Sequence, residues 1–367
     1  MYIHEQKGWP ALEWNHASVA PLLAEARHLQ GRLLGRMETL GFQIREEATL
    51  QILTSDGVKT SEIEGEVLNA GQVRSSLARR LGLDIGALPA TDRTVEGIVE
   101  VLLDATRNPV AALTPERLYS WHAALFPTGR SGLRRIVVGA WRTEQSGDMQ
   151  VVSGPVGRET VHYEAPRHDL LVMEMDRFLE WFNGNSGLDP VLKSAVAHFW
   201  FVTIHPFEDG NGRIARAIAD LVLARSEGSP QRFYSMSSQI QRERSDYYLV
   251  LEQCQRGTLD VTPWVHWYLG CFARAIGASE DILSAVLHKA GFWRAHVGGS
   301  FNERQRRVLN RVLEGFEGKL TTSKWAKLAK CSQDTALRDI TDLVGRGILS
   351  KEESGGRSTS YSLVETK

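Results

Sequence analysis

Residues 205–216 read HPFEDGNGRIAR, a polar, glycine-rich run that lies between two apolar segments. Before the run, residues 191–204 repeat apolar side chains at helical spacing, which predicts a buried helix. After it, Ile214 and Ile218 mark the inner face of a second helix, and Gly228 can take the left-handed conformation that ends helices. The run therefore predicts a loop that leads into the N-terminus of a helix.

This helix N-terminus suits an anion. Its first backbone N–H groups have no partner within the helix, and Gly210 and Gly212 beside Asn211 let a ligand approach the backbone closely. Arg213 and Arg216 lie three residues apart on one helix face, so both guanidinium groups can bind one polyanion. The spacing predicts a phosphate-binding site.

Two further residues of the run can carry chemistry. Asp209 offers a hard carboxylate oxygen of the kind that Mg²⁺ prefers, since this ion is usually held by one or two carboxylates and the phosphates of its ligand. His205 has a pKa near neutrality and can accept a proton from an attacking hydroxyl. A plainer interpretation makes His205 a packing residue and pairs the arginines with surface carboxylates. The functional interpretation is favoured because so many residues suited to this chemistry occur within one short run.

The run resembles the signature of Fic-domain proteins, His-x-Phe-x-(Asp/Glu)-Gly-Asn-Gly-Arg-x-x-Arg, and fills every fixed position of it. The resemblance implies a mainly α fold with a Fic-type helical core. It also implies an enzyme, a nucleotidyltransferase that moves AMP from ATP onto a hydroxyl of a target protein and releases pyrophosphate. On this basis His205 is the general base, Asp209 holds Mg²⁺, Phe207 anchors the loop in the core, and ATP is bound by Gly210, Asn211, Gly212, Arg213 and Arg216.

A second pattern lies at residues 60–65, which read TSEIEG. It resembles the inhibitory signature of Fic proteins, (Ser/Thr)-x-x-x-Glu-(Gly/Asn), with Thr60, Glu64 and Gly65 in the fixed places. The resemblance implies that Glu64 pairs with Arg216 and displaces the γ-phosphate of ATP, because a carboxylate and a phosphate compete for one guanidinium. The alternative is a capping box, in which Ser61 and Glu64 begin a helix that runs toward Leu81. The inhibitory interpretation is favoured.

Residues 149–152 and 160–164 are rich in β-formers and predict a hairpin, and residues 136–138 predict another short strand. Fic proteins carry a hairpin, the flap, that covers the active site and aligns the target segment by strand addition. Residues 149–166 stand in that place, after a GAWR sequence at 139–142 that resembles the flap's Gly-x-(Tyr/Trp)-Arg lead-in. An exposed strand edge binds an extended peptide through its backbone. The alternative is a plain hairpin that closes one side of the fold.

Tyr247 and Tyr248 follow the motif in a region where relatives place adenosine-binding tyrosines, although such residues also serve as core. They are candidate ATP-binding residues.

The 367 residues, 42% of them hydrophobic, are enough for two or three domains. We expect an N-terminal helical module at 1–89, which resembles one found ahead of many bacterial Fic domains, a Fic catalytic domain at 90–285, and a winged helix-turn-helix at 300–367. In the predicted winged helix-turn-helix, the exposed positions are Gln333, Asp334, Lys351 and Arg357. DNA contact by 300–367 stays open but is not favoured, because the second helix carries Asp334, Asp339 and Asp342 against Arg338 alone.

The charge, hydropathy and cysteine content narrow the possible class of protein further. The formal net charge is −1, so the whole chain has no basic excess that would demand nucleic acid. The sequence has neither an apolar run of membrane-spanning length nor the start of a signal peptide, and it predicts a cytoplasmic protein without a membrane partner.

Cys254, Cys271 and Cys331 are far apart, which argues against a disulfide framework and against a zinc site.

The sequence thus predicts an ATP-dependent, Mg²⁺-requiring protein adenylyltransferase that Glu64 restrains, with a target protein that docks at residues 149–166. One alternative is a nucleotide-sensing, DNA-binding regulator. Another is a de-adenylylating Fic enzyme in which Glu64 positions water. The target, the direction of catalysis and a homodimeric state stay open.

Overall fold

The structure is a computed structural model that describes residues 1–83, 90–154, 158, 160–296, 298–313, 318–352 and 359–364. Contacts divide the chain into two compact units, Met1–Ser279 and Glu280–Lys367. Both are mainly helical with small antiparallel sheets, which confirms the predicted fold class. The predicted boundary near residue 89 falls where residues 84–89 lie outside the described chain. Among the described residues, no helix is both long and apolar enough to cross a bilayer.

The first unit is built from helices that surround one buried pair. Its helices are α1 (His16–Glu38), α2 (Phe42–Ile63), α3 (Ala70–Leu81), α4 (Arg93–Arg107), α5 (Pro115–Leu125), α6 (Leu171–Asn183), α7 (Pro190–Ile204), α8 (Asn211–Glu227), α9 (Met236–Arg242), α10 (Arg244–Gln255) and α11 (Thr262–Ala295), whose residues from Glu280 onward belong to the second unit. Two antiparallel pairs of strands complete it, β1 (Arg130–Ser131) with β2 (Arg134–Arg135) and β3 (Gln150–Ser153) with β4 (Thr160–Glu164).

Helices α7 and α8 form the buried pair, and both were predicted from their apolar spacing. Phe199 and Phe201 of α7 and Ile214 of α8 are fully buried. The indole N–H of Trp264, on α11, donates to the carbonyl of Ala195 at 2.9 Å and closes the far side of α7. The polar residues between the two helices are therefore held at the centre of the unit, where small displacements are costly.

The N-terminus of α5 is capped, and one strand prediction was wrong. Thr114 caps α5 by accepting from the N–H of Arg117 at 3.2 Å, with a proline in the first turn. Residues 136–138 form no strand, because the nearby pairing uses Arg130–Ser131 and Arg134–Arg135 instead. Helix α11 runs without a break through Gly277, which is itself helical.

The second unit contains α12 (Glu303–Leu313), α13 (Thr322–Ala329) and α14 (Gln333–Gly345), with strands β5 (Leu320–Thr321), β6 (Leu349–Lys351) and β7 (Ser360–Leu363) in the order β5-β7-β6. Trp325, Ile340 and Leu343 lie in its core. The elements follow the predicted order, and the winged helix-turn-helix assignment stays a prediction. Arg357, one of its expected exposed residues, lies outside the described residues.

The acidic character of α14 is weaker than the sequence suggested. Asp339 turns inward and accepts from the guanidinium of Arg304 at 2.9 and 3.1 Å. Asp342 accepts from Gln305 at 2.8 Å and from Arg346 at 3.2 Å. Two of the three aspartates that argued against DNA are thus already paired inside their own unit, and DNA contact stays an open prediction.

The close approach of α4 to α5 gives a test of this packing. A Cβ on Gly97 would lie 1.8 Å from the carbonyl oxygen of Ala124. We expect Gly97→Ala to destabilise the first unit by about 2 kcal/mol, because overpacking forces the backbone apart. Gly31→Ala, in the exposed face of α1 with nothing within 4 Å, is the matched control and should stabilise by about 0.5 kcal/mol. Thermal unfolding of the full chain compares them, and equal effects would contradict this packing.

Candidate active site

His205 occupies an uncommon backbone position at the end of α7. Its φ of 52° and ψ of 58° are left-handed, a region that non-glycine residues rarely adopt. Its Nδ1 lies 3.0 Å from the carbonyl oxygen of Val202. A carbonyl can only accept, so Nδ1 carries the proton and Nε2 is the free basic nitrogen. Burial lowers the pKa of His205 below 6.5, which keeps the ring neutral.

A buried arginine holds this histidine in place. Arg142 donates from Nε to the carbonyl of His205 at 2.9 Å and from its amino group to the carbonyl of Pro166, where the hairpin ends. Its backbone N–H donates to the carbonyl of Pro206 at 2.9 Å. Burial lowers the pKa of Arg142 to about 10, so it remains charged at neutral pH. The sequence indicated Arg142 as part of a motif but not this bracing role.

The inner side of the loop is held by aromatic packing and an amide. The ring of Phe207 is fully buried and stacks on His122 at 4.1 Å, so it anchors the loop as expected. The side-chain amide of Asn211 accepts from the N–H of Phe207 at 3.0 Å and donates to its carbonyl at 2.8 Å. The Asn211 side chain therefore braces the loop, and its backbone N–H is the group left for an anion.

His122, on α5, is a residue that sequence reasoning missed. Its Nδ1 accepts from the N–H of Gly139, so its Nε2–H donates to the carbonyl of Asp209, each at 3.2 Å. Burial lowers the pKa of His122 to about 4. A neutral histidine between two loops connects the GAWR stretch to the motif, and only the fold brings these residues together.

A cavity of about 640 Å³ opens beside the motif. It brings together most of the predicted site residues with the hairpin. Its lining includes Glu64, Met149, Gln150, Val151, Val152, Ser153, His205, Asp209, Gly210, Asn211, Gly212, Tyr247 and Tyr248. Arg213 and Arg216 are buried beside it, with side chains only 3% and 2% exposed.

Asp209 fits a metal that arrives with a nucleotide. One carboxylate oxygen accepts from the N–H of Gly210 at 2.5 Å, and the other accepts from the hydroxyl of Ser131. Within the described chain, no group of three or more His, Cys, Asp or Glu side chains is arranged to hold an ion. A single carboxylate suits Mg²⁺ that takes its other ligands from phosphate and water, and it would not retain the ion alone.

The predicted inhibitory residues lie at the end of α2, so the capping-box alternative was wrong. The N–H of Gly65 donates to the carbonyl of Glu62 at 3.0 Å, and the N–H of Glu66 donates to that of Ser61 at 3.0 Å. This pair of bonds is a Schellman motif, and it requires the left-handed residue that Gly65 supplies with a φ of 84°. The glycine of the signature thus ends the helix. The helix that runs to Leu81 is α3, which begins separately with Asn69 as its N-cap.

Thr60 and Glu64 both bind Arg216, and of these two contacts the sequence predicted the one with Glu64. The guanidinium donates to the hydroxyl and carbonyl of Thr60 at 2.8 and 2.9 Å and to the carboxylate of Glu64 at 2.7 Å. Gly212 makes room for this contact, because a Cβ there would lie 2.2 Å from the Glu64 carboxylate. The segment from α2 therefore reaches the first turns of α8.

Arg213 has a separate carboxylate partner that the sequence did not suggest. It donates to Glu66 at 2.7 Å, and its guanidinium lies 4.9 Å above the ring of Phe126. Only the turn after α2 brings Glu66 to Arg213, so the linear sequence had no signal for the pair.

The two tyrosines play different structural roles. The hydroxyl of Tyr247 is buried and lies 2.9 Å from Nε2 of His198, whose pKa burial lowers to about 3. The hydroxyl of Tyr248 donates to the carbonyl of Ile63 at 3.4 Å, and Arg244 donates to the same carbonyl at 2.8 Å. Both tyrosines line the cavity, and their contact with adenosine stays a prediction.

The predicted hairpin at 149–166 is present as β3 and β4, with a register irregularity between Val151 and Val152. Arg256, the residue that follows α10, donates to the carbonyl of His162 at 2.7 Å and holds β4. Strand β3 lines the cavity, and among the described residues it pairs with β4 alone, so its other edge is unpaired. Residues 155–157 and 159 lie outside that description.

A histidine before a glycine-rich helix N-terminus, with two arginines on the first turns of that helix, matches the arrangement that the Fic resemblance predicted. Residues 112–223 match the profile of the Fic/DOC family, and residues 2–83 match a domain of unknown function, DUF4172. The chain thus resembles the Fic/DOC family over residues 112–223. The module predicted at 1–89 thus overlaps a recognised domain of its own.

Curated relatives agree with this assignment. The chain is 28% identical over 217 residues to Protein adenylyltransferase Fic of Drosophila mojavensis, which covers 58% of this chain and 38% of that protein. It is 29% identical over 237 residues to Protein adenylyltransferase fic-1 of Caenorhabditis elegans, covering 62% and 42%. The chain therefore spans less than half the length of these two relatives.

Solved structures agree in fold. A Fic family protein from Desulfovibrio desulfuricans G20 has a TM-score of 0.51 at 21% identity, covering 95% of this chain and 96% of that one. A Fic domain containing signaling protein from Bacteroides thetaiotaomicron VPI-5482 has a TM-score of 0.53 at 21% identity, covering 71% and 97%.

The role of Gly65 at the end of α2 can be tested. An L-residue in its left-handed conformation costs about 1–2 kcal/mol, so we expect Gly65→Ala to loosen the turn. Amide hydrogen exchange at residues 64–66 should accelerate about tenfold, the factor that corresponds to roughly 1.4 kcal/mol. Gly41→Ala, at the other end of the same helix with a φ of −61°, is the control and should leave these amides unchanged. Unaltered exchange in Gly65→Ala would contradict the motif's role.

Proposed function

We propose that this chain is a protein adenylyltransferase that transfers AMP from ATP to a hydroxyl side chain of a target protein. The observation that carries the proposal is the tautomer of His205, which leaves a basic Nε2 at the cavity that contains the N-terminus of α8. The name adenylyltransferase, shared by the relatives, supports the same reaction.

In the proposed reaction, Nε2 of His205 accepts the proton of the target hydroxyl as its oxygen attacks the α-phosphorus of ATP. A bond forms between this oxygen and the phosphorus, and the bond to the bridging oxygen breaks, so pyrophosphate leaves with the electron pair. The backbone N–H groups of Asn211 and Gly212 and the guanidinium groups of Arg213 and Arg216 offset the developing negative charge. Mg²⁺ bound with the nucleotide beside Asp209 would supply further charge neutralisation.

We further propose that Glu64 restrains this reaction. Its carboxylate lies 2.7 Å from Arg216 and lines the cavity, where it stands in for a phosphate oxygen. Carboxylate and phosphate compete for the same guanidinium donors, and Glu64 already occupies one amino group of Arg216. Because Arg216 is buried, it cannot turn away to serve both.

The target segment is proposed to dock on β3. An unpaired strand edge accepts an extended chain through backbone hydrogen bonds, and β3 borders the cavity that contains His205. Val152 is 47% exposed on this strand and gives the target an apolar contact. The hydroxyl to be modified would thereby be carried to the base without a demand for one particular sequence.

The role of Glu64 is tested by its removal. We expect Glu64→Gly to raise auto-modification from labelled ATP with Mg²⁺ by roughly tenfold or more, since loss of a competing charge worth about 1.4 kcal/mol changes an equilibrium tenfold. Adding His205→Ala should lower that rate about 100-fold or more, the usual contribution of a general base. Intact mass and autoradiography measure both. Equal rates in wild type and Glu64→Gly would refute restraint, and equal rates with and without His205 would refute the base.

The pH dependence follows from the same histidine. Only the neutral ring accepts a proton, and burial lowers the pKa of His205 below 6.5. The acid limb of the transfer rate of Glu64→Gly should therefore be centred below pH 6.5. Single-turnover rates at saturating ATP give the profile. An acid limb centred above 6.5 would rule out this assignment.

A further inference from the structure

The end of α2 presents two carboxylates to the two arginines of the motif. Glu64 contacts Arg216, and Glu66 contacts Arg213, each at 2.7 Å. The two pairs use different acids and different cations, so each arginine is neutralised by its own residue. The inhibitory signature accounts for Glu64 and assigns nothing to Glu66.

Both carboxylates are placed by one backbone motif. Glu64 is the last residue before the left-handed Gly65, and the N–H of Glu66 closes the turn by donating to the carbonyl of Ser61 at 3.0 Å. Ordering this turn orders both side chains together. Displacing it would release both arginines.

The exposure of each partner indicates which one moves. The side chain of Arg213 is 3% exposed, whereas that of Glu66 is 41% exposed. Arg213 is confined by its position above the ring of Phe126, while the more exposed Glu66 has room to swing into solvent. When Glu66 leaves, a buried guanidinium requires another anion, since an unpaired buried charge is costly.

Arg213 also has unused capacity. Its Nε is buried and has no hydrogen-bond partner among the described residues. A guanidinium offers five N–H donors in a fork that matches phosphate oxygens, and a single contact with Glu66 leaves part of that fork unsatisfied. A phosphate can satisfy more of it than this carboxylate does.

We propose that Glu66 is a second inhibitory carboxylate, which occupies Arg213 independently of the contact between Glu64 and Arg216. The inference rests on the proposed function, since it concerns the same nucleotide site. Removing Glu64 alone then frees only one of the two arginines. A nucleotide must still compete with Glu66 for the other.

The test measures nucleotide binding directly, so it does not depend on turnover. Isothermal titration with the α,β-methylene analogue of ATP and Mg²⁺ compares the full chain carrying Glu64→Gly with Glu64→Gly/Glu66→Gln. We expect the double variant to bind about fivefold more tightly, which corresponds to roughly 1 kcal/mol. Glu66→Asp in the same background keeps the charge with a shorter reach and should give a smaller gain.

Glu62 provides the matched control. It lies on the same helix end but bonds to Lys59 at 2.5 Å and to Gln241 at 3.2 Å, away from both arginines. Glu64→Gly/Glu62→Gln removes the same charge from the same segment and should bind within about twofold of Glu64→Gly, a difference under roughly 0.5 kcal/mol. This control separates a specific contact with Arg213 from a general change in charge.

The outcomes are distinct. If Glu64→Gly binds the analogue and the Glu66→Gln double variant binds it no more tightly, the second carboxylate is refuted while the proposed function stands. Equal gains from Glu62→Gln and Glu66→Gln would also refute it, because the effect would then be non-specific. If Glu64→Gly binds no nucleotide at all, the proposed function fails and this inference fails with it. Thermal unfolding of each variant verifies that a loss of fold does not produce the result.

Discussion

The contact between Arg216 and the end of α2 is the interaction on which the site depends. A guanidinium that is 2% exposed must have an anion beside it, because the interior solvates an isolated charge poorly. Thr60 and Glu64 meet this need from a helix more than 150 positions earlier in the chain. A phosphate could meet the same need, so in the proposed function the arginine that binds the nucleotide is also the one that Glu64 occupies.

This shared need explains why the N-terminal region and the Fic domain form one unit. The region that matches DUF4172 contains Thr60, Glu64 and Glu66, and the Fic match contains Arg213 and Arg216. The two matched regions lie together within Met1–Ser279. The proposed restraint therefore depends on the packing of the end of α2 beside α8. A change that displaced the end of α2 would act on both arginines.

The parts of the site that the sequence predicted share one property, which is that their residues are close together in the chain. The loop at 205–216 and the helix that follows are local, so spacing and the chemistry of a helix N-terminus were sufficient to place them. The roles of Arg142, His122 and Glu66 were not predicted. Each depends on a contact between distant segments, and neither spacing nor composition reports such contacts. The capping-box alternative was wrong because Ser61 and Glu64 have a spacing that suits the start of a helix, while the Schellman bonds place them at the end of one.

The sequence alone determined that this chain is mainly helical and resembles Fic proteins, and which loop contains His205 and the glycines, because those features are written in contiguous residues. It also indicated that Glu64 belongs to the site, through a resemblance and not through any local signal. Only the tertiary structure decided that Nε2 of His205 is the free nitrogen, that Asn211 braces the loop, and that Glu66 occupies Arg213. These depend on which atoms meet when α2, α5, α7 and α8 pack together, and hydrogen-bond partners and burial exist only after that packing.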